Sequence, residues 1–131
     1  MASQTPPTPQ FQDNPVAANR PGHYIEIIVD TGKIMKSWRT SLFSFEWLLP
    51  DGRIKTAPEL SETERPRREA VEQALHNNQT LDKPVLGIGL MDNVEIGSGR
   101  ATFLTLVAHG VETMPVHIPR GNEADFKKFK V

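Results

Sequence analysis

The sequence contains no cysteine. That absence excludes disulfide frameworks, thiolate metal sites and cysteine nucleophiles together, and leaves the fold to be held by its core. A core is feasible, because roughly 110 residues follow a proline-rich start, and a domain of that size buries about 65% of its unfolded surface. Long apolar runs are also missing: no segment approaches the roughly 20 residues of a membrane helix. The opening "MASQTPPTPQ" has neither the basic nor the apolar region of a signal peptide. Neither sign of charge dominates, with 15 basic against 16 acidic side chains and a net charge of -1, which argues against bulk attraction to nucleic acid or anionic lipid. The expectation is one soluble cytoplasmic domain without a membrane or nucleic-acid partner.

What is abundant at the start is proline: Pro6, Pro7, Pro9, Pro15 and Pro21 fall within residues 1–22, among Gln, Asn and Thr. With so little apolar surface to bury, this stretch is expected to be a disordered tail. Residues 23–131 form the single globular domain. The tail has a second use as a docking segment for a partner protein, with Phe11 and Val16 as anchors and Pro6, Pro7 and Pro9 favouring a polyproline II helix.

From Tyr24 the pattern has period two, with Ile25, Ile27 and Val29 facing one way and Tyr24, Glu26 and Ile28 the other. This predicts a strand that stops at Asp30-Thr31-Gly32-Lys33 and returns over residues 34–39. Phe43, Phe45, Trp47 and Leu49 alternate in the same way, stop at Pro50-Asp51-Gly52-Arg53, and resume at Ile54. Two turns of one grammar, each with Asp near the start and Gly where positive φ is needed, predict a four-stranded antiparallel meander over residues 24–57.

The Asp30-Thr31-Gly32 triplet after an apolar strand resembles the active-site loop of the retroviral-type aspartic proteases. The later "VLGIGLM", residues 85–91, resembles the apolar segment those enzymes place beside it. The resemblance implies a homodimer in which two copies of Asp30 share a proton and activate water. The sequence departs from that family at Lys33, where a small residue is usual, and shows no glycine-rich flap.

Residues 60–78, "LSETERPRREAVEQALHNN", carry the clearest helical signal. Ser61 and Glu64 have capping-box spacing, Thr63 is a competing N-cap, and Pro66 falls in the first turn. Ala70, Val71, Ala74 and Leu75 form the apolar stripe, and Glu64 with Arg68, Arg65 with Glu69 and Arg68 with Glu72 stand four apart on a solvated face. The alternating acids neutralise the Arg65, Arg67 and Arg68 cluster as a phosphate contact.

Residues 83–90 read as a buried strand, in which Gly87 and Gly89 leave room for a neighbouring backbone. Residues 100–110 fit strand or helix; helix is favoured, since Phe103, Leu104, Leu106 and Val107 share a face, Thr102, Thr105 and His109 form a polar stripe, and Gly110 sits at the C-cap position. Residues 113–119 return as an edge strand with Met114, Val116 and Ile118 inward. Strand, crossover helix and strand make a C-terminal βαβ unit. The fold class is therefore α+β: the meander plus this unit in a mixed sheet, packed by two main helices and a short terminal helix beginning at Asn122, with Phe126 and Phe129 docked on the core or offered to a partner.

Three functional readings follow. The first is a small binding or regulatory domain without evident catalysis or cofactor, reaching a protein partner through the N-terminal tail or the C-terminal helix. The second is a site for a small anion, phosphate or nucleotide, made by Gly97, Ser98, Gly99, Arg100 and Thr102, where backbone N–H groups and a guanidinium meet at a helix N-terminus. The third is the protease centred on Asp30. Asp92, Glu95, His109 and His117 lack metal-ligand spacing, so no metal is expected. His23 and His76 read as surface residues at element ends, and Ser98 lacks the spacing of a nucleophile elbow.

Overall fold

The computed structural model describes residues 7–131. Over these residues it is a small α+β protein with four helices and short strands in three two-stranded sheets. In order these are β1 (Phe11–Gln12), α1 (Pro15–Ala18), β2 (Tyr24–Asp30), α2 (Thr31–Trp38), α3 (Glu64–His76), β3 (Leu81–Asp82), β4 (Leu86–Ile88), β5 (Val94–Ile96), α4 (Arg100–Ala108) and β6 (Thr113–Pro119).

The longest pairing is antiparallel, β2 with β6 over seven residue pairs from Tyr24–Pro119 to Asp30–Thr113. Period-two burial works as expected: Ile27 and Val29 on β2 and Met114, Val116 and Ile118 on β6 are buried, while Ile28 is exposed. Phe103, Leu104 and Leu106 of α4 join them in one core, together with Ile34 and Trp38 of α2 and Phe126. α4 ends as its glycine predicts. Gly110 has φ +92°, its N–H donates to Val107 O, and the Val111 N–H donates to Leu106 O, closing the helix in a Schellman motif.

The meander is replaced. Residues 31–38 form helix α2, because Asp30 is an N-cap and not a hairpin corner: its carboxylate accepts from the Lys33 N–H at 3.0 Å. Thr31, Ile34 and Trp38 supply the buried face. Residues 43–49 do not form a strand either. Serines give the backbone local partners there: the Phe43 N–H donates to Ser41 Oγ, Ser44 Oγ donates to Arg39 O, and residues Ser44–Glu46 wind into a 3-10 turn. The second turn does form, with Gly52 at φ +90° and a Leu48–Ile54 bridge.

The βαβ unit is also altered. β4 makes an antiparallel hairpin with β5, and the only parallel bridge to β6 among the described residues comes from the residue before β4, Val85 to His117, supported by the His117 N–H donating to Pro84 O. Among the described residues, β6 is thus paired along its length on one side only.

At the N-terminus, residues 1–6, including Met1 and Pro6 of the expected tail, lie outside the described residues. From Gln10 the chain is tied down, in contrast to the tail expected over residues 1–22. β1 runs parallel to β3, with the Leu81 N–H donating to Gln10 O and the Lys83 N–H to Gln12 O. Backbone pairing, Phe11 packed against the core and the hydrogen bonds of Asn14 order this segment together, and composition gives no sign of the pairing or of the bonds. At the other end the short terminal helix is replaced by two 3-10 turns, Arg120–Asn122 and Lys127–Phe129. Phe126 and Phe129 are buried with ring centroids 5.6 Å apart, and the chain then runs beside β2, where the Val131 N–H donates to Ile28 O. Lys130 is extended and bridges Val29, a pairing that a helix continued through residue 131 would not make.

Candidate functional site

Gly97, Ser98 and Gly99 form the turn between β5 and α4, and Gly99 is the N-cap at φ +84°. The turn folds onto the chain before β4: the Val85 N–H donates to Ser98 O, and the Gly97 N–H donates back to Val85 O. Gly97, Ser98, Gly99, Arg100 and Thr102 line an open groove of about 580 Å³ shared with Glu64 and Arg67 of α3. The structure therefore brings the expected residues to one surface, but it assigns the Arg100 guanidinium elsewhere. Nη1 donates to Glu46 Oε1 at 3.1 Å, Nε and Nη2 reach Ile96 O, and the group lies over the rings of Trp38 and Phe43 at 5.9 and 5.2 Å. These contacts use its charge and its flat face to pin residues 43–46 against α2 and α4. In the groove itself the nearby charges are mixed, since the Glu64 carboxylate faces Arg67 at 3.3 Å.

Ser98 has a structural partner as well. Its Oγ accepts from Asn14 Nδ2 at 3.0 Å, and the same amide group donates to Lys83 O. Asn14 also caps α1, accepting from the Val16 N–H, while its own N–H donates to His117 Nε2 at 3.1 Å. One buried asparagine thus joins the N-terminal segment to the glycine turn and to β6. The Asn14-Pro15 pair, a capping residue before a proline at the first helical position, was the available sequence signal.

Because His117 Nε2 is an acceptor here, the ring is neutral with its proton on Nδ1. Burial pushes the His117 pKa below 6.5. Nearby charges pull both ways: Asp13 and Glu26 raise it, while Lys83 lowers it. Lys83 is bound to both acids, at 2.6 Å to Glu26 and 2.9 Å to Asp13, and they hold its own pKa up. With the folded pKa of His117 depressed, unfolding takes up a proton. Its stabilising contribution is therefore complete above about pH 6.5 and is lost as the pH falls through the lowered folded value. Urea unfolding of the wild type should show stability declining as the pH falls below about 6.5, and His117→Gln should flatten that decline. An equal slope in both proteins would refute the assignment.

The remaining candidates separate. Asp30 caps α2 at the Thr113 end of β6, whereas Val85 lies beside His117 nearer the other end, so the two protease-like segments are not adjacent. Asp92 lies in the β4–β5 turn at φ +60°, Glu95 accepts from Ser41 Oγ, His109 pairs with Glu72 at 2.8 Å, and His117 meets Asn14. Among the described residues no group of three or more such side chains is placed to hold a metal ion. No helix among them is long and apolar enough to cross a membrane.

A different surface emerges from the segment whose alternation predicted a strand. Trp47 and Leu48 point inward, while Leu42, Phe43 and Phe45 are 77%, 51% and 68% exposed. Trp47 fixes the inner side: its Nε1–H donates at 2.9 Å to the buried Glu64 carboxylate. The outer side opens into a groove of about 500 Å³ lined by Arg39, Ser44, Phe45, Leu48, Leu49, Pro50 and Lys55. The Lys55 N–H bonds Trp47 O, the Leu49 N–H bonds Arg53 O, and Arg68 Nη1 donates to Lys55 O, so the groove wall is held on α3. Leu90 and Met91, also exposed, sit on the turn between β4 and β5, a hairpin that Ser41 and Ser37 bind through Glu95 and the Val94 N–H. Sequence reasoning missed this surface because alternating aromatics fit a half-buried strand as well as an exposed turn.

In comparisons with known proteins, no family model matches this chain, and no curated protein or solved structure proved similar to it.

Proposed function

We propose that the chain is a non-catalytic binding domain that engages a segment of a partner protein through the groove formed by residues 39–55. The observation that carries this reading is the exposure of Leu42, Phe43 and Phe45 within one short segment whose backbone is held by side-chain hydrogen bonds. Of these, Phe45 lines the groove together with Leu48, Leu49 and Pro50, and an exposed aromatic beside a concave apolar surface is a feature of binding sites more than of inert surface. The groove volume lies in the range of ligand sites, about 300–1,000 Å³. Its support is already built, so little ordering cost falls on the domain when a partner docks. Of the other apolar anchors for partner binding, the C-terminal phenylalanines are buried in the core and Phe11 packs against it, which leaves Val16 alone exposed.

The test is selection of a displayed random dodecapeptide library on the full chain, followed by amide-shift mapping of enriched peptides. Peptides that shift Ser44, Phe45, Leu48 and Leu49, and that bind Phe45→Ser at least roughly ten-fold more weakly with folding preserved, support the reading. Enrichment only of peptides that map elsewhere, or no enrichment, defeats it.

A further inference from the structure

We infer that the partner segment is an acidic amphipathic peptide, with an apolar side chain seated on Phe45, Leu48 and Leu49 and a carboxylate beside it reaching Arg39 and Lys55. This rests on the binding-domain reading and adds the chemistry of the occupant. The argument is charge complementarity. Arg39 and Lys55 stand on the rim of the groove, and among the described residues neither has an acidic partner within salt-bridge distance. Arg39 makes one long bond, Nη2 to Pro50 O at 3.4 Å, and its guanidinium lies across Gly52, where an added Cβ would stand 2.8 Å from Cζ. The guanidinium is therefore positioned with donors to spare.

The neighbouring acids do not serve these cations. Glu46 is held by Arg100, Asp51 accepts from the Arg53 N–H, and Glu59 pairs with Arg53 and caps the turn at Thr56. Lys36, one turn before Arg39 on α2, also lacks an acidic partner among the described residues. In a chain whose charges nearly balance, an apolar groove lined by cations and by no acid is a local excess. A planar donor fork beside an apolar floor suits a carboxylate next to a Leu or Phe. A membrane would meet the same charges, but a concave site with an open floor fits an inserted side chain better than a bilayer surface does.

The experiment analyses the peptides enriched on the full chain and resynthesises the best groove binder with each Asp or Glu changed to its amide. The expected result is an apolar residue flanked by acids, affinity that falls with added salt, and roughly ten-fold weaker binding to Arg39→Gln/Lys55→Gln, which matches the weakening seen for the amide peptide on wild type. Groove binders that are neutral or basic, or an amide twin of equal affinity, overturn the acidic partner while leaving the binding groove in place. Absence of any groove binder overturns both. Cosedimentation with phosphatidylserine vesicles that is lost in Phe45→Ser, or self-association lost in the same variant, would assign the surface to a bilayer or to a second copy and overturn the inference.

Discussion

Replacing Trp47 with phenylalanine should destabilise the protein by about 1–3 kcal/mol more than the same replacement at Trp38. Both indoles are fully buried, with 0% exposure, so the loss of ring volume is similar. Their N–H groups differ. Trp47 Nε1 donates to Glu64 Oε1 at 2.9 Å, whereas Trp38 Nε1 has no partner among the described residues. Phenylalanine at 47 leaves a buried carboxylate oxygen without its donor; phenylalanine at 38 removes a donor that was already unmatched. Truncation to alanine should cost about 3–5 kcal/mol at either site, because cavity formation then dominates. Urea unfolding of the four variants measures this directly. Equal costs for the two phenylalanine variants would mean that the Trp47–Glu64 bond contributes nothing net. The result also bears on function, since Trp47 is the inner anchor of the segment that exposes Phe45.

The readable parts of the fold are those where periodicity and chain-end chemistry agreed. α3 has Ser61 Oγ accepting from the Glu64 N–H, Pro66 in the first turn and, of the three pairs expected four apart, Arg68–Glu72. Glu64 is instead buried, accepting from Trp47 and pairing with Arg67, and Arg65 donates to the carbonyls of Ala57 and Leu60 and not to Glu69. In α4 the apolar face and Gly110 both indicated helix, although burial of Thr105, whose hydroxyl has no partner among the described residues, shows that the expected polar stripe is partly interior. α2 stands where a returning strand is expected because Asp, Gly and a following lysine are turn chemistry and capping chemistry alike. The deciding signal is the spacing of Thr31, Ile34 and Trp38 at i, i+3 and i+7, which fits a helix and not a strand. The N-terminal segment was illegible for another reason. Its order depends on Lys83, Ser98 and His117, which lie 69, 84 and 103 positions from Asn14 and converge on it. No local window of sequence contains that convergence.

The glycine turn gives the second large effect. Gly99→Ala should destabilise the protein by about 2–4 kcal/mol, combining a left-handed backbone with overpacking. Gly99 sits at φ +84°, and an added Cβ would stand 2.9 Å from Pro84 Cα, a backbone atom that cannot move without disturbing the Val85 N–H bond to Ser98 O. Two other glycines serve as controls. Gly97 has no positive φ, and a Cβ there would meet Val85 O at 3.4 Å; at Gly87 a Cβ would meet nothing within 4 Å, despite the close backbone approach expected of it. Alanine should be tolerated at 97 and 87 within about 1 kcal/mol. Urea midpoints of the three variants decide the matter. If Gly99→Ala is as mild as Gly87→Ala, the left-handed cap is dispensable, and the glycine at 99 needs a reason other than the close packing of the turn on Pro84. If the large cost appears at 99 alone, that close packing accounts for Gly99, and the tolerated position 97 is where a side chain can be introduced to probe the adjoining groove without loss of the fold.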